Sequence, residues 1–182
     1  MTGSKSGSTA YTMKFSFGPP DQNEHIVFGA QRPGYPGHTV PAQAVDEWTA
    51  FMKGQSISRI CCLLPRNQLM YYEHLPEDYY SAFGHSAVCF ASVEDYHLCD
   101  RATLIGKILP FLKGCDAEKQ KVVVHCSGGS GRTGHVLAAW LVFGRGWAYA
   151  DAIAAVKKSG RNPFEAIQSG NARPEDLERL LS

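Results

Sequence analysis

The stretch Val122-Val123-Val124-His125-Cys126-Ser127-Gly128-Gly129-Ser130-Gly131-Arg132-Thr133-Gly134 decides how the chain is read. Three consecutive valines predict a buried strand, the glycines predict a tight turn, and the apolar pattern beyond Arg132 predicts a helix. At a strand–turn–helix junction the N–H groups of the turn can converge, and the positive end of the helix dipole adds to them, which makes a cradle for an anion. Gly128, Gly129 and Gly131 allow backbone conformations that a Cβ resists and leave room for oxygens close to the main chain. Cys126 lies in this cradle. A thiol at a helix N-terminus beside an arginine favours its thiolate form, so Cys126 is a candidate nucleophile. Arg132 can offer its planar fork to two oxygens of one phosphoryl group, and Thr133 carries a hydroxyl near the sulfur.

With 182 residues, the chain fits one domain with a sizeable core. It is 44% hydrophobic and 19% charged, the composition of an ordinary soluble globular protein, and 18 basic against 17 acidic residues leave no net field for nucleic acid or an anionic membrane. Any preference for anions is therefore local. The cysteines at 61, 62, 89, 99, 115 and 126 lie in apolar segments without a paired framework or metal-ligand spacing, which points to a reducing, cytoplasmic setting and no metal site. Neither an apolar leader nor an apolar run long enough to span a bilayer is expected.

Residues 1–14, rich in Gly, Ser and Thr, are expected to be flexible, ahead of a catalytic domain at 15–182. His25 to Gly29 predicts a first strand, and Gln31 to Gly37, rich in Pro and Gly, a loop placed to rim a site. Pro41 opens a helix with Ala44, Val45, Trp48, Phe51 and Met52 on one face. Ile57 to Leu64 and Ala87 to Ala91 predict two further strands, with Cys61 and Cys62 as packing residues and a short helical piece from Pro76 to Phe83 between the strands. The loop Ser92 to Asp100 precedes the amphipathic stretch Leu104 to Leu112. The helix after Arg132 is apolar nearly all round, broken by Gly144 and Gly146, and another follows from Trp147 to Lys158. Asn162 as N-cap, Pro163 at the first helical position and Glu165 three after the cap form a helix-start signal. Pro174 to Leu181 predicts a terminal helix. Strands alternating with helices imply a single α/β domain with a central, mainly parallel sheet, helices on both faces and the site at the carboxyl ends of the strands.

The run His125 to Gly134 resembles the signature loop of the cysteine-based protein tyrosine phosphatase superfamily. Histidine precedes the cysteine, glycine stands three after it, arginine six after it and a hydroxyl residue next, all at a strand–loop–helix junction. The short chain is similar to the compact dual-specificity branch. The resemblance implies that Cys126 attacks phosphorus to form a phosphocysteine, that Ser127, Gly128, Gly129, Ser130, Gly131 and Arg132 hold the phosphoryl oxygens, and that His125 orders the loop from behind. It also implies an acid on a loop roughly thirty residues before the nucleophile. Asp95 fits best, Glu94 is a second candidate, and Asp100 suits a helix cap better. Thr133 is expected to stabilise the departing thiolate, and Asn162 or Gln168 to position the hydrolytic water. No metal or organic cofactor is implied.

The expected substrate is a phosphorylated protein or peptide, on phosphotyrosine first and phosphoserine or phosphothreonine second, with no nucleic acid or membrane partner. Inositide-cleaving relatives often carry lysines inside the loop, where this chain has Ser127 and Ser130. Small, lipid or nucleotide phosphate esters are the alternative. A silent phosphopeptide-binding module would lack the nucleophile or the acid, and a sulfurtransferase would not need Asp95.

Overall fold

The computed structural model describes residues 14–182. Its sheet has four parallel strands, β1 (Val27–Gln31), β2 (Ile57–Cys62), β3 (Val88–Phe90) and β4 (Lys121–Cys126), in the order β1-β4-β2-β3. The valine run is β4, flanked by a strand on each side, as expected of a strand apolar on both faces. Successive β4 side chains enter different cores. Val122, Val124 and Cys126 pack in one cluster and Val123 in the other.

Along the chain the helices are α1 (Ala42–Gly54), α2 (Arg66–Leu69), α3 (Leu75–Phe83), α4 (Arg101–Thr103), α5 (Leu109–Ala117), α6 (Gly131–Arg145), α7 (Tyr149–Lys158), α8 (Glu165–Gln168) and α9 (Pro174–Leu180). Val45, Trp48 and Met52 of α1 join Leu75 and Tyr79 of α3 against one sheet face. The other face is covered by α5, α6, α7 and α9, with Trp140 and Leu137 of α6 fully buried. Between α4 and α5 the helix is wound as a π segment, Leu104–Ile108. Pro110, two residues beyond it, has no N–H for the ordinary helical bond, so the wider turn lies where the regular ladder would fail.

Several boundaries differ from the sequence reading, each for a local reason. The first strand begins at Val27 rather than His25, because buried Glu24 accepts from the N–H groups of Ile26 (2.8 Å) and Val27 (3.0 Å) and holds the entry to the strand. Pro41 is the N-cap of α1 rather than its first helical residue. Gly144 does not break α6, which continues to Arg145 and stops at Gly146 in a left-handed conformation (φ 73°). Arg145 is anchored there by Glu24 and Asp116, both at 2.8 Å. Asn162 does not cap a helix starting at Pro163. Its Oδ1 accepts from Phe164 N (3.3 Å), and α8 starts only at Glu165. The flexible segment expected at 1–14 falls outside the described residues, except for Lys14, which opens the 3-10 turn Lys14–Ser16. No helix among the described residues is long and apolar enough to cross a membrane.

Glu24 also accepts from Trp140 Nε1 (2.9 Å), so one buried carboxylate joins the N-terminal strand entry to α6. Removing it leaves an indole N–H and part of a guanidinium without an acceptor. Glu24→Ala is expected to lower the unfolding free energy by about 2–3 kcal/mol in urea titrations. A loss below about 0.5 kcal/mol, the level of an ordinary surface change, contradicts this role.

Candidate active site

In the loop between β4 and α6, every carbonyl from Cys126 to Gly131 except that of Gly128 has a donor among the described residues. Cys126 O accepts from His125 Nδ1 (3.2 Å), Ser127 O from Arg32 N (3.0 Å), Gly129 O from Arg161 Nη1, Ser130 O from Gly134 N (2.8 Å) and Gly131 O from His135 Nδ1 (3.2 Å). The backbone N–H groups of Ser127, Gly128, Gly129 and Ser130 have no acceptor among the described residues. Ser130 occupies the N-cap position of α6 without a side-chain cap, which leaves the positive end of a 15-residue helix open to the same space. Gly129 is needed twice over. Its φ is 73°, and a Cβ there would lie 2.6 Å from Ala30 C and Gln31 N.

Three groups hold this loop from behind. His125, fully buried among Trp48 and Tyr79, donates to Cys126 O and accepts from the Tyr79 hydroxyl (3.0 Å) through Nε2. Burial, with Arg132 and Arg32 nearby, holds its pKa down at about 4, so the ring is neutral at pH 7 and orders the backbone as a dipole. Arg32 is buried and donates to Ser127 Oγ (3.0 Å), the Tyr72 hydroxyl (3.3 Å) and Gly37 O (2.7 Å). Arg161 is buried and donates to Gly129 O, Ser16 O (3.0 Å) and Gly18 O (3.2 Å). Burial lowers the Arg161 pKa to about 10, which leaves it protonated at neutral pH. Neither arginine meets a carboxylate among the described residues. Both therefore place uncompensated positive charge beside the loop.

Cys126 (2% exposed) lies at a cavity also lined by Ser127, Gly128, Ser130, Gly131, Arg132 and Asp95, and its Sγ accepts from Thr133 Oγ1 (3.1 Å). Arg132 (2% exposed) donates through Nη1 to Gln68 Oε1 (2.9 Å) and Val93 O (3.1 Å), and its Nη2 pairs with Asp95 Oδ1 at 2.8 Å. Its Nε is buried without a partner, a donor that a phosphoryl oxygen would satisfy. Gln68 also donates to Asp95 Oδ2 (2.8 Å), so Asp95, Gln68 and Arg132 form one network beside the thiol. Tyr35 and Tyr96, 44% and 52% exposed, wall the opening.

The structure thus brings together Cys126, Arg132, Thr133, Asp95 and the loop residues singled out in the sequence. Glu94 is exposed and does not line the cavity, and Asp100 caps α4 by accepting from Thr103 N (2.8 Å). Asn162 and Gln168 also stay out of the cavity lining. They bond to each other, Asn162 Nδ2 to Gln168 Oε1 at 2.7 Å. Nothing in the sequence pattern singles out Arg32, Gln68, Arg161 or His135. Fully buried His135 accepts from Cys99 N (3.0 Å), tying α6 to the end of the Asp95 loop. Arg32 and Arg161 lie outside regular elements, and Gln68 and His135 are single polar residues in helices, so none of them carries a pattern that would have marked it.

The fold and this site define a phosphatase of the cysteine-based protein tyrosine phosphatase superfamily. The family model described as "Polymorphic toxin system, DSP-PTPase phosphatase" matches residues 38–146, more than half of the chain, and the protein belongs to that family. No curated protein matches the sequence. Among solved structures, PTPMT1 in complex with PI(5)P is 17% identical with a TM-score of 0.68 (91% of this chain, 92% of that one). Tk-PTP in its active form is 21% identical with a TM-score of 0.62 (82% and 94%). TpbA of P. aeruginosa, in complex with pTyr, is 15% identical with a TM-score of 0.54 (86% and 83%). At these identities the likeness is one of fold.

His125 and His135 are both held by burial at a pKa of about 4, below the ordinary value near 6.5. Between those values the unfolded chain binds protons that the native protein refuses, so stability falls as pH drops from about 6.5 toward 4 and this contribution is flat above it. Each histidine contributes a slope of about 1.4 kcal/mol per pH unit inside that window. Urea midpoints at pH 7, 6 and 5 should decline accordingly, and His135→Gln should reduce the slope. Stability that is constant or rises on acidification to pH 5 contradicts the assignment.

Proposed function

We propose that the protein hydrolyses phosphotyrosine in proteins or peptides through a phosphocysteine intermediate, with phosphoserine and phosphothreonine as poorer substrates. The observation that carries the reading is the accounting of the loop: all its carbonyls but that of Gly128 are occupied elsewhere, while four N–H groups and Arg132 Nε are without acceptors around the Cys126 thiol. Such a shell matches a phosphoryl group and the equatorial oxygens of its transition state.

In this reading a phosphate ester displaces Asp95 from Arg132 and takes the guanidinium as its own partner. Asp95, released from the ion pair, takes a proton from solvent; the Cys126 thiolate attacks phosphorus, the bond to the leaving oxygen breaks, and Asp95 delivers that proton to the leaving oxygen. Water then attacks the phosphocysteine and gives a proton to Asp95, and the sulfur leaves as a thiolate stabilised by the Thr133 hydroxyl at 3.1 Å. Gln68, bonded to both Asp95 and Arg132, holds the exchange in register. Tyr35 and Tyr96 support the preference for tyrosine, since their rings can flank a phenyl ester.

The test is hydrolysis of p-nitrophenyl phosphate in the presence of chelator. The wild type should turn over, Cys126→Ser should be inactive, and Asp95→Ala should be slowed by about 10²–10⁴-fold with an ester that needs leaving-group protonation, while still forming phosphoenzyme. An active serine variant sinks the proposal. On peptides, Tyr35→Ala and Tyr96→Ala should each lower kcat/KM for phosphotyrosine by about three- to tenfold and leave phosphoserine less affected. Equal losses on both would argue against the aromatic walls.

A further inference from the structure

Resting on the phosphotyrosine reading, we infer that Glu165 is a specificity-determining residue: its carboxylate disfavours substrates with further anionic groups beside the reacting phosphate and favours basic or neutral flanks. Glu165 opens α8 and lines the same cavity as Cys126 and Arg132. It does not turn back to cap its own helix start, as the local sequence suggested. Its carboxyl instead lies against the first residue of α6: a Cβ on Gly131 would be only 1.9 Å from Glu165 Oε2. Glycine at 131 is thus what makes room for an acid at the mouth of an anion site.

The carboxylate has no hydrogen-bond or ion-pair partner among the described residues. Burial and the neighbouring Asp95 raise its pKa, while Arg132 opposes the shift. Among the side chains lining this cavity Arg132 is the one cation, against two carboxyl groups, Asp95 and Glu165. One phosphoryl group, bound by Arg132 and the loop amides, satisfies the donors. A second anion nearby finds no cation and meets Glu165 at short range, where screening is incomplete.

The experiment compares three peptides of one sequence whose single phosphotyrosine is flanked by paired Lys, paired Gln or paired Glu. For the wild type, kcat/KM should fall in that order, with a spread of about tenfold at low ionic strength that largely collapses at about 0.5 M salt. Glu165→Gln should compress the spread to about threefold or less, and Glu165→Asp, which keeps the charge, should preserve it. An unchanged spread in Glu165→Gln, or equal compression in Glu165→Asp, overturns the inference. If Glu165→Gln does not fold, the wild-type series decides: a salt-sensitive preference for Lys flanks supports the inference, and indifference or a preference for Glu flanks overturns it. Turnover without dependence on the flanks refutes this inference alone. No turnover of any peptide by the wild type refutes the phosphotyrosine reading and the inference with it.

Discussion

The carbonyl oxygens of one short loop, all but that of Gly128, are held by donors drawn from across the chain, and the anion site depends on that arrangement. A loop of this length left to itself would turn some carbonyls inward, where they would repel a phosphate. Here His125 takes one carbonyl, Arg32 N a second and Arg161 a third, and the first turn of α6 with His135 takes two more. The N–H groups of the loop are left free as a consequence. The cost is two buried guanidinium groups without carboxylate partners, which would be unfavourable in an ordinary core. Next to a site for an anion, their charge is complementary to the ligand.

The second constraint is the pairing of Arg132 with Asp95. In the free protein the two hold each other at 2.8 Å with Gln68 bridging, so the buried Arg132 charge is not left alone. In the proposed reaction, a phosphate ester competes directly with Asp95 for Arg132. Binding in that reaction frees the carboxyl at the moment when a leaving oxygen stands beside it, which would couple recognition to the positioning of the acid. The same cavity contains Glu165, so its charge balance suits one phosphoryl group better than several.

How much of this was legible in the sequence depends on the range of the forces involved. The buried strand of Val122 to Val124, the turn after it and the helix beyond Arg132 follow from local pattern, and their order was enough to expect a parallel α/β sheet with the site at its carboxyl edge. Asp95 was found only because a family resemblance says where an acid should be. Arg32 reaches Ser127 across 95 positions, and Gln68 reaches Arg132 across 64, distances at which no periodicity or cap signal operates. The errors share one cause as well. Asn162, Pro163 and Glu165 follow the rule for a helix start, but the cavity takes the Glu165 side chain and the helix begins later. Likewise the first strand starts two residues late because Glu24 claims the amides before it.

The central claim is that the loop amides and Arg132 together form a preorganised oxyanion site, and calorimetric titration with inorganic tungstate tests it most directly. The account predicts a single saturable site, still present in Cys126→Ser and weakened about ten- to hundredfold in Arg132→Met, where the charged donors are lost. Absence of saturable binding to the folded protein, or equal affinity in Arg132→Met, would contradict it.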